Sequence, residues 1–332
     1  MTSRAITVLG GGILGLWQAL TLARAGHRVR LLEASAEPFE RAASRYGAVM
    51  LAPEREAETA PASLRALGCE GIAMWRAIYP GLLTAGSLVV AAARDRAELE
   101  RCARHTQGHE SLDAKALQGL EPELEGRFSS ALFFAQEAHM PALDALAFVL
   151  AEAQRAGVEV LFGVAAAPDD ADVIVDCRGL AARDVLPDLR GVRGERLIVH
   201  SREIALKRPV QLLHPRHPLY VVPWGDGRYM IGATVIETED EGPVTVRSAL
   251  ELLGAAYALH PAFGEAEILE FGAGVRPAFP DNMPRAIVRE GGRRIYVNGA
   301  YRHGFLLAPV LAKAVAAYLD VGDTSELIRI ET

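Results

Sequence analysis

A short apolar strand, Ile6 to Leu9, runs straight into Gly10-Gly11-Gly12-Ile13-Leu14-Gly15, and an apolar helical stretch follows as far as Ala25 and Gly26. Strand, glycine turn and helix N-terminus in that order make a corner built for an anion, because unpaired helical N–H groups and the helix dipole point at the same place. Gly10 permits the tight turn, Gly12 lets the main chain approach a pyrophosphate, and Gly15 lets the helix press on the strand. Ile13 and Leu14 supply the first N–H groups of that helix. A second strand, Arg28 to Leu32, closes on Glu33 and Ala34, with the acid eighteen positions beyond Gly15. A carboxylate at that distance accepts hydrogen bonds from a ribose hydroxyl. The expectation is a dinucleotide site; the alternative is a glycine turn with a surface glutamate.

The pattern beyond this corner fixes an expected architecture. Ala62 to Ile78 is helix-patterned, with Gly68 and Gly71 weakening it, and Gly86 to Ala93 is rich enough in Val and Leu for a buried strand. Arg94 to Arg104 reads as a charged helix, Pro141 to Ala156 as an amphipathic one and Val158 to Val164 as a strand. Asp172 to Arg178 is nearly all apolar, as a strand buried on both faces of a parallel sheet would be. From Val192 to Glu239 the alternating helices disappear, and Arg196 to Ser201, Leu219 to Pro223 and Tyr229 to Ile236 read as strands. Gly225-Asp226-Gly227 turns the last two into a hairpin. Thr245 to His260 is a flanking helix, and Arg294 to Asn298 with Phe305 to Leu319 returns to the strand and helix pattern of the start. The expected fold class is therefore α/β, a discontinuous Rossmann-type domain with an α+β second domain on an antiparallel sheet.

Bulk properties narrow the function. The chain has 332 residues, 50% of them hydrophobic, enough for two joined domains with full cores. A net charge of −7 argues against a nucleic-acid partner. No uncharged apolar stretch reaches membrane-spanning length and no signal peptide is evident, so the expected address is the cytoplasm. Cys69, Cys102 and Cys177 are scattered, which suits core thiols in a reducing compartment. His139, His200, His214, His217, His260 and His303 show no metal-ligand spacing, and no metal is expected.

A second glycine turn is as informative as the first. Asn298-Gly299-Ala300-Tyr301-Arg302-His303-Gly304-Phe305-Leu306 follows a strand and opens a helix, so another helix N-terminus is aimed at a ligand. With pyrophosphate at the first turn, this one suits the far end of an extended cofactor, a flavin ring. Read alone, it is equally a glycine-bounded loop with a solvated Arg and His.

These stretches resemble the D-amino acid oxidase superfamily. Gly274-Val275-Arg276-Pro277, then Pro280-Asp281-Asn282-Met283-Pro284, then Tyr301 to Pro309 look like its G-L-R-P, D-x-x-P and F-R-N-G-I-L-L-A-P pattern. Within it the resemblance leans to the glycine oxidases of thiamine biosynthesis. Further pieces agree in order: Ala43-Ser44 ahead of Met50-Leu51-Ala52-Pro53, Asp176 to Leu180, Leu189 to Glu195, Tyr220 to Pro223 and Ile231 to Thr234. The family's usual His is Ala300 here, and its usual Asn is His303.

The resemblance implies noncovalent FAD, bound by residues 1–80, 140–190 and 272–332, with residues 81–139 and 191–271 forming the substrate domain. It places Gly10, Gly12, Gly15, Glu33, Ala43 and Ser44 on the adenosine and pyrophosphate half, with Gly179 nearby and Ala166 facing the adenine. Ala48, Val49 and Met50 pass under the flavin, and Ala300 to Leu306, including Tyr301, Arg302, His303, Gly304 and Phe305, wraps it. Arg276 and Arg302 would meet a substrate carboxylate and Tyr220 would supply a hydroxyl, beside Met50. An arginine fork suits a carboxylate on physical grounds as well. The competing readings are a domain-joining ion pair for either arginine and a core aromatic for Tyr220.

The implied reaction is oxidation of glycine or a similar small amine to the imine, with O2 as acceptor and a thiazole synthase as recipient. The alternatives are a D-amino acid or sarcosine dehydrogenase serving another acceptor and, from a different class, a non-catalytic dinucleotide sensor. Oligomeric state stays open, a homo-oligomer included.

Overall fold

The computed structural model describes residues 3–58, 60–61, 63–166, 171–214 and 218–331. His217 lies outside them. The opening corner forms as expected: strand Ala5–Leu9, helix Ile13–Arg24 and strand Arg28–Glu33. Ile6 sits opposite Val29 on one side and Val173 on the other, which makes the opening strand central and explains its apolar sequence.

Among the described residues it belongs to a seven-stranded sheet. The order is Ile328–Ile330, Arg285–Arg289, Arg294–Asn298, Val173–Asp176, Ala5–Leu9, Arg28–Glu33, Glu159–Phe162. Arg285–Arg289 and Arg294–Asn298 are antiparallel to each other, and every other neighbouring pair is parallel. Helix Ile13–Arg24 packs against Ala142–Arg155 and Gly304–Val321, and Ser63–Ile78 packs on Gly304–Val321. Gly304–Val321 is long and apolar enough to cross a membrane, but it carries Lys313 and Asp320 and is largely buried in this core.

The two glycines that weaken the Ser63–Ile78 pattern are where neighbours close on it. A Cβ on Gly71 would lie 1.9 Å from the Leu306 carbonyl oxygen, and one on Gly68 would lie 2.6 Å from Pro53 Cβ. Trp75 Nε1 donates to the Phe305 carbonyl at 2.7 Å from the same helix. Cys69 faces outward and is exposed, whereas Cys102 and Cys177 are buried, so the expectation of core thiols holds for two of the three. The helix turns Leu64, Gly68, Ile72 and Trp75 inward, and position 69 falls on the other side.

The second sheet has eight strands among the described residues. The order is Glu267–Ala278, Arg190–His200, Arg228–Gly232, Leu219–Pro223, Val210–Leu213, Ser87–Ala91, Ser130–Phe134, Glu110–Asp113. It is antiparallel except where Val210–Leu213 runs parallel to Ser87–Ala91. The expected hairpin forms around Gly225-Asp226-Gly227, all three with positive φ. Helix Val246–Leu259 flanks this sheet, capped by Thr245, whose Oγ1 accepts from the Ser248 N–H.

Two strands differ from the reading of the sequence. The regular strand within the Tyr229 to Ile236 segment ends at Gly232, beyond which Thr234 and Ile236 still bond to the strand Arg190–His200, and Glu267–Ala278 is one long edge strand crossing the expected boundary at residue 272. Gly272 and Gly274 hide that strand in the sequence. A Cβ at Gly274 would lie 2.6 Å from the Tyr46 ring, and one at Gly272 would sit tightly, at 3.1 Å, against both Tyr46 and Arg196.

Candidate active site

Between the sheets lies a cavity of about 760 Å3 that runs from the glycine turn to Tyr220, Arg276 and Arg302. Its first end is built from main chain. Gly10 has φ +97°, and a Cβ there would lie 2.7 Å from the Cys177 carbonyl oxygen. A Cβ on Gly15 would lie 1.9 Å from the Gly10 carbonyl oxygen, so helix and turn meet with no room between them. Gly12, the residue before the helix, is open: the nearest atom to a Cβ there is Ser44 Oγ at 3.6 Å. Glu33 accepts from the Gly11 N–H at 2.6 Å and the Ser35 N–H at 2.8 Å, which holds its carboxylate at the mouth of the turn. Ser44 Oγ accepts from the Ile13 N–H at 3.4 Å.

Leu14, Ala34, Ala43 and Gly179 line this end. Val164 and Ala165 line it too, tied to the second strand by bonds from the Gly163 and Val164 N–H groups to Ser35 and Glu33 carbonyls. Ala166 is one residue further on and exposed, so the position expected to face the adenine falls just outside the wall. Cys177 also lines the cavity, and burial pushes its thiol well above the usual value, leaving it protonated.

The middle of the cavity is walled by Ala48, Val49 and Met50 and, opposite in sequence, by Ala300, Tyr301, Gly304, Phe305 and Leu306. Val49 and Tyr301 hold φ of 51° and 46°. A left-handed backbone is costly for a β-branched residue, and such strain collects at functional walls. The Tyr301 N–H is anchored on the Pro277 carbonyl at 2.8 Å. Beyond it the helix Gly304–Val321 begins with its N-terminus toward the cavity.

The far end is built from side chains. Arg276 sits on the long edge strand opposite Val192, and a Cβ on Gly194 would lie 2.1 Å from its Nη2, so any side chain there would displace the guanidinium. The guanidinium reaches only the Thr234 carbonyl, at 3.4 and 3.5 Å, and meets no carboxylate among the described residues. Burial lowers its pKa. Tyr220 stands beside it, its hydroxyl pushed up by burial and eased by the positive charges of Arg276 and Arg302.

The structure separates the two arginines that the sequence reading treats alike. Arg302 is already paired: its Nη2 lies 3.0 Å from Glu56 Oε1, and Glu56 raises its pKa. For Arg302 the ion-pair alternative is therefore what the structure contains. Burial by itself would raise the Glu56 carboxyl, but Arg302, His303 and Arg55 outweigh it and hold the group below its ordinary value. His303, expected on the cofactor, is buried with Nδ1 3.8 Å from Glu56 Oε2, and burial lowers its pKa while the Glu56 carboxylate works against that shift.

Glu56 has no place in the sequence reading. It lies in Pro53-Glu54-Arg55-Glu56-Ala57-Glu58, a charged run that looks solvated, and its partner is 246 positions away. Arg196 was passed over as well. It is 2% exposed, stacks on Tyr46 at 5.4 Å, bonds Glu270 through Nη2 at 3.1 Å, and leaves Nε and Nη1 without partners among the described residues. Asp281 serves as a turn former, accepting from the Met283 N–H at 3.1 Å.

The residues present suit a flavin dinucleotide. The cavity falls in the range of about 300–1,000 Å3 usual for cofactor sites, an open Gly12 and a helix N-terminus await a pyrophosphate, and an unpaired Arg276 lies beyond the ring position. A nucleotide corner continuous with an arginine-lined pocket is the site of a flavin-dependent oxidoreductase. The family profile of FAD-dependent oxidoreductases, DAO, matches residues 5–318, and the chain belongs to that family.

The chain is 51% identical to the provisionally assigned thiamine biosynthesis oxidoreductase ThiO of Rhizobium etli, over 95% of this chain and 96% of that one. It is 27% identical to the bifunctional protein ThiO/ThiG of Trichormus variabilis, covering 96% of this chain and 53% of that one. Its fold matches the crystal structure of glycine oxidase from Geobacillus kaustophilus with a TM-score of 0.84 at 23% identity, covering 98% and 96% of the two chains.

Proposed function

We propose that the protein oxidises glycine, and amines as small as sarcosine or a small D-amino acid, to the imine. The observation that carries this reading is the half-buried Arg276, with no carboxylate partner among the described residues, beside Tyr220 at the end of a cavity that begins at a dinucleotide corner. A guanidinium drawn partly out of water with no anion beside it is left under-satisfied, and a substrate carboxylate completes it bidentately. The Tyr220 hydroxyl, kept protonated by burial, donates to the same carboxylate.

Noncovalent FAD, bound at Gly10, Gly12, Gly15, Glu33 and Ser44, supplies the two-electron acceptor, and O2 takes the pair onward to give H2O2. The chain's residues do the positioning. Arg276 and Tyr220 fix the carboxylate end, so the Cα–H of a neutral amine is presented toward the wall formed by Met50 and Ala300 to Leu306. The Cα hydrogen leaves as hydride, the amine loses one proton, and a C=N bond forms. Water exclusion and orientation are sufficient for this chemistry, which agrees with the absence of a catalytic acid and base pair in the reading.

Supply of the imine to thiazole formation in thiamine biosynthesis is supported by the likeness to ThiO and by the fused ThiO/ThiG relative, which makes a thiazole synthase the expected partner. A reducing cytoplasm is the matching location, with all three cysteines unpaired.

The test is anaerobic mixing of the yellow holoenzyme with glycine, sarcosine, D-alanine and D-proline. Glycine should bleach the flavin, with glyoxylate appearing after hydrolysis and peroxide once air is admitted. A misfitting methyl group costs about 1–3 kcal/mol, so a preference of roughly tenfold to a few hundredfold over the bulkiest substrate is expected. No bleaching with glycine, or a preference for large D-amino acids, overturns the reading.

A further inference from the structure

Glu56 is a charged group in the cavity wall that the carboxylate chemistry does not use. Its Oε1 takes the Arg302 Nη2 bond at 3.0 Å. Its Oε2 receives no hydrogen bond among the described residues and lies 3.8 Å from the buried His303 Nδ1. The side chain is 18% exposed, and it borders the cavity that Arg276 and Tyr220 also border. A carboxylate oxygen with open lone pairs at the edge of a cavity is an acceptor waiting for a donor. An ammonium group, with three N–H donors and a positive charge, is the small ligand that satisfies it best.

Arg276, Arg302 and Glu56 together carry a net charge of +1, which one substrate carboxylate neutralises. What Glu56 then offers the other end of the molecule is not a spare charge but the open lone pairs of its second oxygen. Around it stand Arg302, His303 and Arg55, with Tyr220 on the adjoining wall and Glu137 buried behind it. Arg55 is itself engaged, by Gln211 at 2.9 Å and by Glu58, so it does not compete for that oxygen.

We infer that Glu56 is the amine-side anchor of the substrate: it neutralises Arg302 through one oxygen and receives the substrate's ammonium or amine N–H on the other, so the site recognises a zwitterion end to end. This rests on the amino acid reading above and deepens it. It also assigns Arg302 to holding Glu56 in place and leaves carboxylate binding to Arg276.

The experiment compares a carboxylate with and without an amine. Acetate binding is read from perturbation of the flavin spectrum, and glycine binding from the concentration dependence of anaerobic flavin reduction, in the wild type and in Glu56→Gln. The variant keeps the shape and loses the charge. Glycine should bind about tenfold or more weakly, the scale of one lost charge-assisted bond. Acetate should bind more tightly, because Arg302 is released to meet it. Weakening of both ligands alike, or no change for glycine, overturns the inference and makes Glu56 a structural partner of Arg302.

A measurement on the wild type stands if Glu56→Gln fails to hold FAD. Methylammonium chloride should tighten acetate binding, while tetramethylammonium chloride at the same ionic strength should not, since it has no N–H to donate. Equal effects of the two salts overturn the inference. Neither acetate measurement needs turnover, so a wild type that glycine cannot bleach would sink the glycine reading alone.

Discussion

The two ends of the cavity are made in different ways. The nucleotide end is mostly backbone, centred on Gly10, Gly12, Gly15 and the Glu33 carboxylate bonded to the Gly11 N–H, with Cys177 packed against the turn. The substrate end is side chain, assembled from Glu56, Tyr220, Arg276 and Arg302, which come from four distant segments. A backbone site tolerates side-chain change but no added atoms at its glycines. A side-chain site tolerates neither loss of a charge nor loss of the space around it. The two should therefore fail differently, and each failure can be measured.

The largest expected effect is at the substrate end. Arg276→Leu should leave the protein folded and yellow while kcat/KM for glycine falls by roughly thirtyfold to a few thousandfold, from a loss of about 2–5 kcal/mol. Steady-state peroxide release, with FAD content read from the same sample, checks it. An Arg276→Leu protein that loses FAD in proportion to activity would erase the distinction between the ends.

Gly15→Ala should show the opposite pattern. Its Cβ would lie 1.9 Å from the Gly10 carbonyl oxygen, and overpacking of this kind costs about 1–3 kcal/mol. That is roughly a tenfold to hundredfold loss of FAD affinity. Titration of the apoprotein with FAD measures it, and turnover per bound FAD should stay near the wild-type value.

The smallest effect concerns pH. Glu137, buried beside Arg55 and Ser87 behind the substrate end, has its pKa pushed up by burial to about 8. Its folded value lies above the unfolded one of about 4.3, so its contribution to stability is complete below pH ~4.3 and is lost as the pH rises toward 8. Glu137→Gln should flatten that decline. Relaxation around a buried charge keeps the expected difference near 1 kcal/mol, roughly 2 °C in Tm between pH 5 and pH 8. Identical melting profiles for the two proteins would show that Glu137 ionises as freely as an exposed acid.

The same division explains what could be read from the sequence. A turn that needs glycine leaves glycine in the text, and its acid follows at a set distance, so the turn itself was legible; the walls that Val164, Ala165 and Cys177 add to it were not. Arg276 and Arg302 were legible only as residue types. Which of them is spoken for depends on Glu56, and nothing in Pro53-Glu54-Arg55-Glu56 distinguishes a cavity acid from a solvated one. The long strand Glu267–Ala278 went unseen for a related reason: Gly272 and Gly274 lie against Tyr46, a contact between segments more than two hundred positions apart. The short strands Glu110–Asp113 and Ile328–Ile330 have too few apolar residues to show a period at all.

Helix Ile13–Arg24 is apolar on almost every side, and part of what covers it is Gly304–Val321, the last helix of the chain. On a ribosome the first of these emerges roughly 15 to 60 seconds before the second, at about 5–20 residues per second. During that interval an oily cylinder waits for its lid, and the cofactor has a corner to enter but no opposite wall. The growing chain is thus most vulnerable to its neighbours early and gains the far wall of its cofactor cavity only late, which makes delivery of FAD a problem of timing as much as of affinity.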